Sequence, residues 1–337
     1  MQPYHMQAHL DHGLQTQVHD FALTAQTPTD FAQWQHDFRQ ALSDTLGITD
    51  RIPTETPSVT LVSSLDQGGY VEELHNVAFD GLMMPMYLLI PKTPPPYKVV
   101  LVLHGHGIGV NQVIGKYPDP EMAAERIAVD GNYAQRLAED GYLVCAIEQR
   151  GFGARVADRV SENDNSCQQL ANQYMMCGQT VMGERVRDAM ASINYLQSRD
   201  DVLSDAIGCT GHSGGGATAL FLCALDERIK TSVISGYFCD YNYSILGMRH
   251  CECNYVPNLL KLGNMGEITS LIAPRALRLV NGEADPIFPI AGTVQPYAQV
   301  QSVYRLLDAE SDVSLVTHAG GHRYSYADSL AWFEAQL

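Results

Sequence analysis

The spacing of apolar residues changes several times along the chain, and each change predicts a different element. Residues 1–26 are polar and rich in Gln and His, so they read as a solvated terminal arm. His5, His9 and His12 share helical spacing there, but no carboxylate cluster accompanies them, which favours the arm over a metal site. Thr27-Pro28-Thr29-Asp30 is a helix-start signal. Phe31, Trp34, Phe38, Leu42 and Leu46 then recur at three- and four-residue steps, predicting an amphipathic helix that docks on a core and ends near Gly47. Pro53, Pro57 and Ser58 mark a linker. After it the period drops to two, predicting strands over 59–65, 70–79 and 83–90, joined by tight turns at Gln67-Gly68-Gly69 and Asp80-Gly81.

Beyond a proline-rich turn at 93–96, short apolar runs alternate with amphipathic ones. Strands are predicted over 98–103, 142–147, 206–210, 230–236, 276–281 and 313–317. Helices are predicted over 130–139, 184–197, 215–225, 297–307 and 324–336. This alternation predicts an α/β fold, a mostly parallel sheet covered by helices on both faces, made mixed by the antiparallel strands at its start. The chain divides into an N-terminal extension with the amphipathic helix, residues 1–65, and a main domain, residues 66–337. Stretches 148–180 and 238–272 are long for plain loops and read as lid-like pocket walls or self-packed segments.

Composition narrows the function classes. At 337 residues with 45% hydrophobic and 18% charged, the chain can bury a large core and is not disordered. Its net charge of −17 argues against nucleic acid or an anionic membrane surface as partner. No apolar run approaches the ~18 residues of a membrane span. The first residues lack a basic segment followed by an apolar one, so a cytoplasmic or already mature protein is expected. Of eight cysteines, Cys145, Cys209 and Cys223 fall in apparent core elements, where a thiol acts as a small hydrophobe. Only Cys251 and Cys253 are close-spaced, and no second ligand pair stands near them in sequence, so reduced structural thiols and no metal are expected.

One motif carries chemistry. Gly208-Cys209-Thr210-Gly211-His212-Ser213-Gly214-Gly215-Gly216 runs from a predicted strand through Gly-x-Ser-x-Gly into a predicted helix. In such a sharp turn the residues two before and two after the serine must be small, and Gly211 and Gly215 fill those places. The turn lifts the hydroxyl above the sheet edge at a helix N-terminus, where developing negative charge is favoured. A serine hydroxyl needs a base to become nucleophilic. With strand–turn–helix serines of this kind, acid and histidine follow in that order. His322, after Ala319-Gly320-Gly321 and past the last strand, is the candidate base; His318 lies at the strand's end and His250 inside the 238–272 segment. Asp285, in Asn281-Gly282-Glu283-Ala284-Asp285-Pro286, is the candidate orienting acid, with Glu283 as its rival. Two oxyanion donors are expected, the Gly214 N–H and the His106 N–H in Leu103-His104-Gly105-His106-Gly107, with Gly107 the alternative. His104 and His106 also suggest metal ligation, but no carboxylate stands beside them in sequence. Arg150, in Gln149-Arg150-Gly151-Phe152-Gly153, reads as a loop-holding ion-pair residue.

On these stretches the chain resembles the α/β-hydrolase fold and, more narrowly, the bacterial dienelactone-hydrolase-like and acetylxylan-esterase-like hydrolases. His250-Cys251-Glu252-Cys253-Asn254-Tyr255-Val256-Pro257 and Ile272-Ala273-Pro274-Arg275 are similar to the esterase branch. The resemblance spans about residues 70–337. Dienelactone hydrolases proper use a cysteine nucleophile, and Ser213 here favours an esterase. The resemblance implies a serine hydrolase of short-acyl, acetyl-type esters of small molecules or carbohydrates, needing no cofactor. A peptidase, amidase or lactone hydrolase on the same residues is the alternative, and a binding protein on a hydrolase scaffold a further one. A homo-oligomer is left open.

Overall fold

The computed structural model describes residues 5–157 and 165–337. Strands β1 (Ser58–Asp66), β2 (Tyr70–Phe79) and β3 (Leu82–Pro91) form an antiparallel meander. β4 (Tyr97–Leu103), β5 (Leu143–Ile147), β6 (Val202–His212), β7 (Thr231–Ser235), β8 (Ala276–Gly282) and β9 (Val313–His318) run parallel to one another. The nine make one sheet in the order β1-β2-β3-β5-β4-β6-β7-β8-β9. β5 and β7 are buried at every residue, as strands covered on both faces must be.

Twelve α-helices accompany the sheet in the described residues: α1 (Met6–Gln15), α2 (Pro28–Leu46), α3 (Val110–Val113), α4 (Pro120–Ile127), α5 (Tyr133–Glu139), α6 (Cys167–Met176), α7 (Val181–Gln197), α8 (Gly214–Leu225), α9 (Leu259–Leu262), α10 (Met265–Ser270), α11 (Val294–Leu306) and α12 (Tyr326–Gln336). One large core holds the face of the sheet against α7 and α8, and a second holds the other face against α5 and α12. The predicted mixed α/β sheet is therefore the observed one.

The amphipathic helix is α2. The Thr27 hydroxyl accepts the Asp30 N–H at 3.1 Å, Pro28 opens the first turn, and Gly47 closes the helix at φ 74°. Phe31, Phe38, Leu42 and Leu46 enter the same core as the sheet. The polar stretch before it departs from a purely solvated arm: α1 forms there, with His5 Nδ1 accepting the Ala8 N–H at 3.1 Å. Farther on, Asp20 and Phe21 donate backbone hydrogen bonds to Lys261 and Leu262, and Phe21 stacks on Phe38 at 4.7 Å.

Other boundaries move for local reasons. The helix expected over 130–139 starts at Tyr133 because Asp130 adopts φ 59°, outside the right-handed region. The one expected from 184 starts at Val181, where the Thr180 hydroxyl accepts the Gly183 N–H at 2.9 Å. α4 was not expected, although Asp119 caps it and Pro120 opens it. Of the lid-like stretch 148–180, α6 is described and residues 158–164 lie outside the described residues; 238–272 contains α9 and α10.

Candidate active site

Parallel strands deliver their C-terminal ends to one edge of the sheet, where ligands bind in α/β folds. Ser213 follows β6 directly, at φ 57° and ψ −121°, a strained conformation for a residue with a side chain. It persists because the chain around it is locked. A Cβ on Gly211 would overlap the Gly215 carbonyl, and one on Gly215 would overlap the Leu103 carbonyl, so only glycine permits β6, α8 and the end of β4 to meet this closely. The Ser213 N–H donates to Ser235 O at 2.9 Å, tying the turn to β7. Among the described residues the Ser213 hydroxyl makes no hydrogen bond and opens onto a pocket.

Asp285 lies beyond β8 and His322 beyond β9. His322 Nδ1 is 2.7 Å from Asp285 Oδ2. The other carboxylate oxygen accepts the N–H groups of Ile287 and Phe288 at 2.8 and 3.0 Å. Burial alone would raise the Asp285 pKa; the hydrogen bond and charge of His322 and these two N–H groups outweigh it and hold it below the usual value. Glu283 instead accepts from the Thr317 hydroxyl at 3.2 Å. His318 turns its ring to the Arg323 and Ala319 carbonyls. His322 thus pairs with Asp285, whereas Glu283 and His318 bond to other groups.

His212 packs against His322 with ring centroids 4.5 Å apart and touches the Ser235 hydroxyl at 3.1 Å. Burial, and then the neighbouring His322, push its pKa well below the ordinary value, so its ring is held neutral. Ser213, Gly214, His322, Gly105 and His106 share a pocket of about 360 Å³. Its lining also includes Gln112, Arg126, Met248, Arg249, His250 and Phe288; Arg249 and His250 come from the stretch 238–272 read as a pocket wall, whereas Gln112 and Arg126 stand outside every sequence motif. His250 also bonds the Ser244 hydroxyl at 3.1 Å.

The loop after β4 passes close to the serine. A Cβ on Gly105 would come 2.8 Å from the His212 carbonyl and 3.4 Å from Ser213 Cβ, and one on Gly214 would come 3.8 Å from the His106 nitrogen. The backbone of residues 105–106 therefore passes beside Ser213 and Gly214. Gly107 follows at φ 141° against Gln112. His104 is fully buried, with Nδ1 on Gly105 O at 2.8 Å and Nε2 accepting the Gln149 N–H at 3.0 Å. The fold brings it a carboxylate that does not neighbour it in sequence: Glu148 Oε1 is 3.0 Å from His104 Nε2. The His106 ring meets something else the sequence does not display, the thiols of Cys167 and Cys253 at 3.9 and 3.5 Å.

Below the pocket, Arg150 behaves as expected. It pairs with Asp188 at 3.0 Å and Glu184 at 2.8 Å and reaches the Tyr174 hydroxyl at 2.9 Å. Arg155 adds a 2.6 Å bond to Asp188. This network fixes the loop after β5 to α7.

Comparison with known proteins bears on the family and the fold. Residues 12–299 match the model of the Abhydrolase family. YtaP of Bacillus subtilis, a hydrolase by name, is 33% identical over 246 residues, 71% of this chain and 77% of that one. A Bacteroides fragilis protein named as an acetyl xylan esterase superposes with a TM-score of 0.78 at 17% identity, covering 93% of this chain and 82% of that one. A glucuronoyl esterase from Solibacter usitatus superposes at 0.69 with 16% identity, covering 92% and 94%. The chain belongs to the Abhydrolase family and has the α/β-hydrolase fold.

Proposed function

We propose that the protein is a serine carboxylic-ester hydrolase that prefers short acyl groups, of the acetyl type, carried on small or carbohydrate alcohols. The observation that carries this reading is the 2.7 Å bond between His322 and Asp285 in the pocket onto which the strained Ser213 opens. Asp285 keeps the His322 proton on Nδ1, leaving Nε2 free to act as base. His322 takes the Ser213 proton as Oγ attacks the acyl carbon. The tetrahedral oxyanion is held by the N–H groups of Gly214 and His106. His322 then protonates the leaving alcohol, and the same groups direct water onto the acyl-enzyme. Because Asp285 is buried and held ionised, it stabilises the imidazolium without taking its proton.

Two features support the substrate class. A pocket of about 360 Å³ leaves little room for a long acyl chain beside an alcohol. Gln112, Arg126, Arg249 and His250 in its lining offer hydrogen-bonding partners to a hydroxyl-bearing leaving group, beside the apolar Met248, Ile287 and Phe288. The esterases it superposes on act, by their names, on acetyl xylan and glucuronoyl esters.

The test is hydrolysis of p-nitrophenyl acetate, butyrate and octanoate, followed by acetylated xylo-oligosaccharides, with wild type and Ser213→Ala. Rates should fall as the acyl chain lengthens, and Ser213→Ala should lose on the order of 10³-fold or more. Ester hydrolysis no faster in wild type than in Ser213→Ala would overturn the proposal.

A further inference from the structure

A cluster of thiols and one imidazole lies in the pocket wall, which His106 and Cys251 line. His106 Nε2 is 3.5 Å from Cys253 Sγ and 3.9 Å from Cys167 Sγ. With Cys251 Sγ, these four atoms all lie within 4.8 Å of one another. They come from three distant segments: the loop after β4, the first residue of α6, and the turn following residue 250. Three thiols and one imidazole are the ligand set of a closed structural zinc site. Tetrahedral bonds of about 2.3 Å to sulfur and 2.0 Å to nitrogen put ligand atoms roughly 3.6–3.8 Å apart. The side chains are therefore within about 1 Å of closing on an ion.

A second observation points the same way. Arg185 is fully buried, and its guanidinium donates to the Arg150 carbonyl at 3.0 and 2.8 Å and to Cys167 Sγ at 3.1 Å. Among the described residues it has no carboxylate partner, whereas its neighbours Arg150, Arg155 and Arg187 each have one. A buried cation needs a counter-charge. Zn²⁺ with three thiolates and one neutral imidazole carries one net negative charge, which Arg185 would balance. Asn254 Nδ2 lies 3.8 Å from Cys253 Sγ, a second N–H directed at a ligand sulfur. All eight cysteines are free, so no disulfide competes for these thiols.

We propose that His106, Cys167, Cys251 and Cys253 bind a structural zinc ion. Each thiol gives up its proton on binding, and the imidazole binds neutral. Four protein ligands leave no open position, so the ion does not meet substrate. It acts by position: it joins the loop after β4 to two segments flanking the pocket. With Nε2 on the metal, the His106 proton sits on Nδ1, the atom that a Cβ on Gly214 would approach to 2.8 Å. The ion thus fixes ring and backbone of the residue next to the serine. The site stands on the four ligands and Arg185, and holds whether or not Ser213 is the nucleophile.

The test is metal content of the full chain, purified under reducing conditions without chelator or histidine tag. Elemental analysis should find about one zinc per chain. Cobalt(II) in its place should give the intense visible bands of a tetrahedral site and thiolate-to-cobalt charge transfer. Cys253→Ser and Cys251→Ser should retain far less zinc, while Cys177→Ser, at an exposed thiol outside the cluster, should retain it fully. Should the cluster variants fail to fold, wild type still decides: chelation under native conditions should release zinc and make about three further thiols reactive. Zinc far below one per chain with no uptake on titration, an octahedral cobalt spectrum, or a disulfide among Cys167, Cys251 and Cys253 in the reduced preparation would each overturn the site.

Discussion

Asp285 accepts hydrogen bonds from His322, Ile287 and Phe288, so both its oxygens are committed. Asp285→Asn would keep the shape but offer an amide to the imidazole and favour the wrong tautomer. A fall in kcat on the order of 10⁴, with KM little changed, is expected from initial rates on acetyl esters. A loss under tenfold would remove the orienting role. His212 makes a second prediction. Its folded pKa lies well below 6.5, so as pH falls through about 6.5 the unfolded chain gains a proton the native ring refuses. Its contribution to stability is full above that pH and declines below it. Thermal melts of wild type should drop between pH 7 and 5 more steeply than those of His212→Gln, by about 2 °C or more. Parallel curves would mean the ring is not held neutral. The residues of this site were legible because each follows a strand of clear pattern: Ser213 in its glycine frame, Asp285 and His322 in the loops after the last two strands. The pairing of His106 with cysteines was not, since its partners lie on distant segments and meet only in three dimensions.

At the scale of elements, the turn from β6 into α8 depends on backbone contacts that no side chain can enter. Gly215→Ala forces a methyl group against the Leu103 carbonyl, an immovable neighbour. It should cost about 3 kcal/mol in urea unfolding and abolish ester hydrolysis. Stability within about 0.5 kcal/mol of wild type would refute the close approach. Arg150 is the other structural pin. Arg150→Met leaves Asp188 and Glu184 with less positive charge in a buried setting and should lower stability by about 3–5 kcal/mol. Strands were easier to read than helices. β2 runs over the predicted 70–79, because alternation on a half-buried strand is unambiguous. α4 and α6 escape the reading of the sequence; both lie at the surface, α4 burying none of its residues and α6 only Cys167.

Across the whole molecule, α2 is part of the main core rather than an appendage. Phe38 is fully buried between Phe21 and Trp34, and Arg39 donates to the Ala224 and Leu271 carbonyls near the end of α8 and α10. Phe38→Ala should therefore destabilise the entire chain by about 3–5 kcal/mol, read as a single shifted unfolding transition. A separate early transition would show that residues 28–46 unfold alone. The stripe of Phe31, Phe38, Leu42 and Leu46 announced that this helix docks; where it docks depended on the sheet topology, which spacing alone does not encode. The topology also gathers the strand ends around one pocket, and on that convergence rests the claim that Ser213 is the nucleophile. Its most direct test is labelling with a fluorophosphonate and peptide mass spectrometry. One adduct per chain is expected, on Ser213, absent from Ser213→Ala and blocked by acetyl ester substrate. An enzyme that hydrolyses esters yet remains unlabelled, or carries its adduct on another residue, would contradict it.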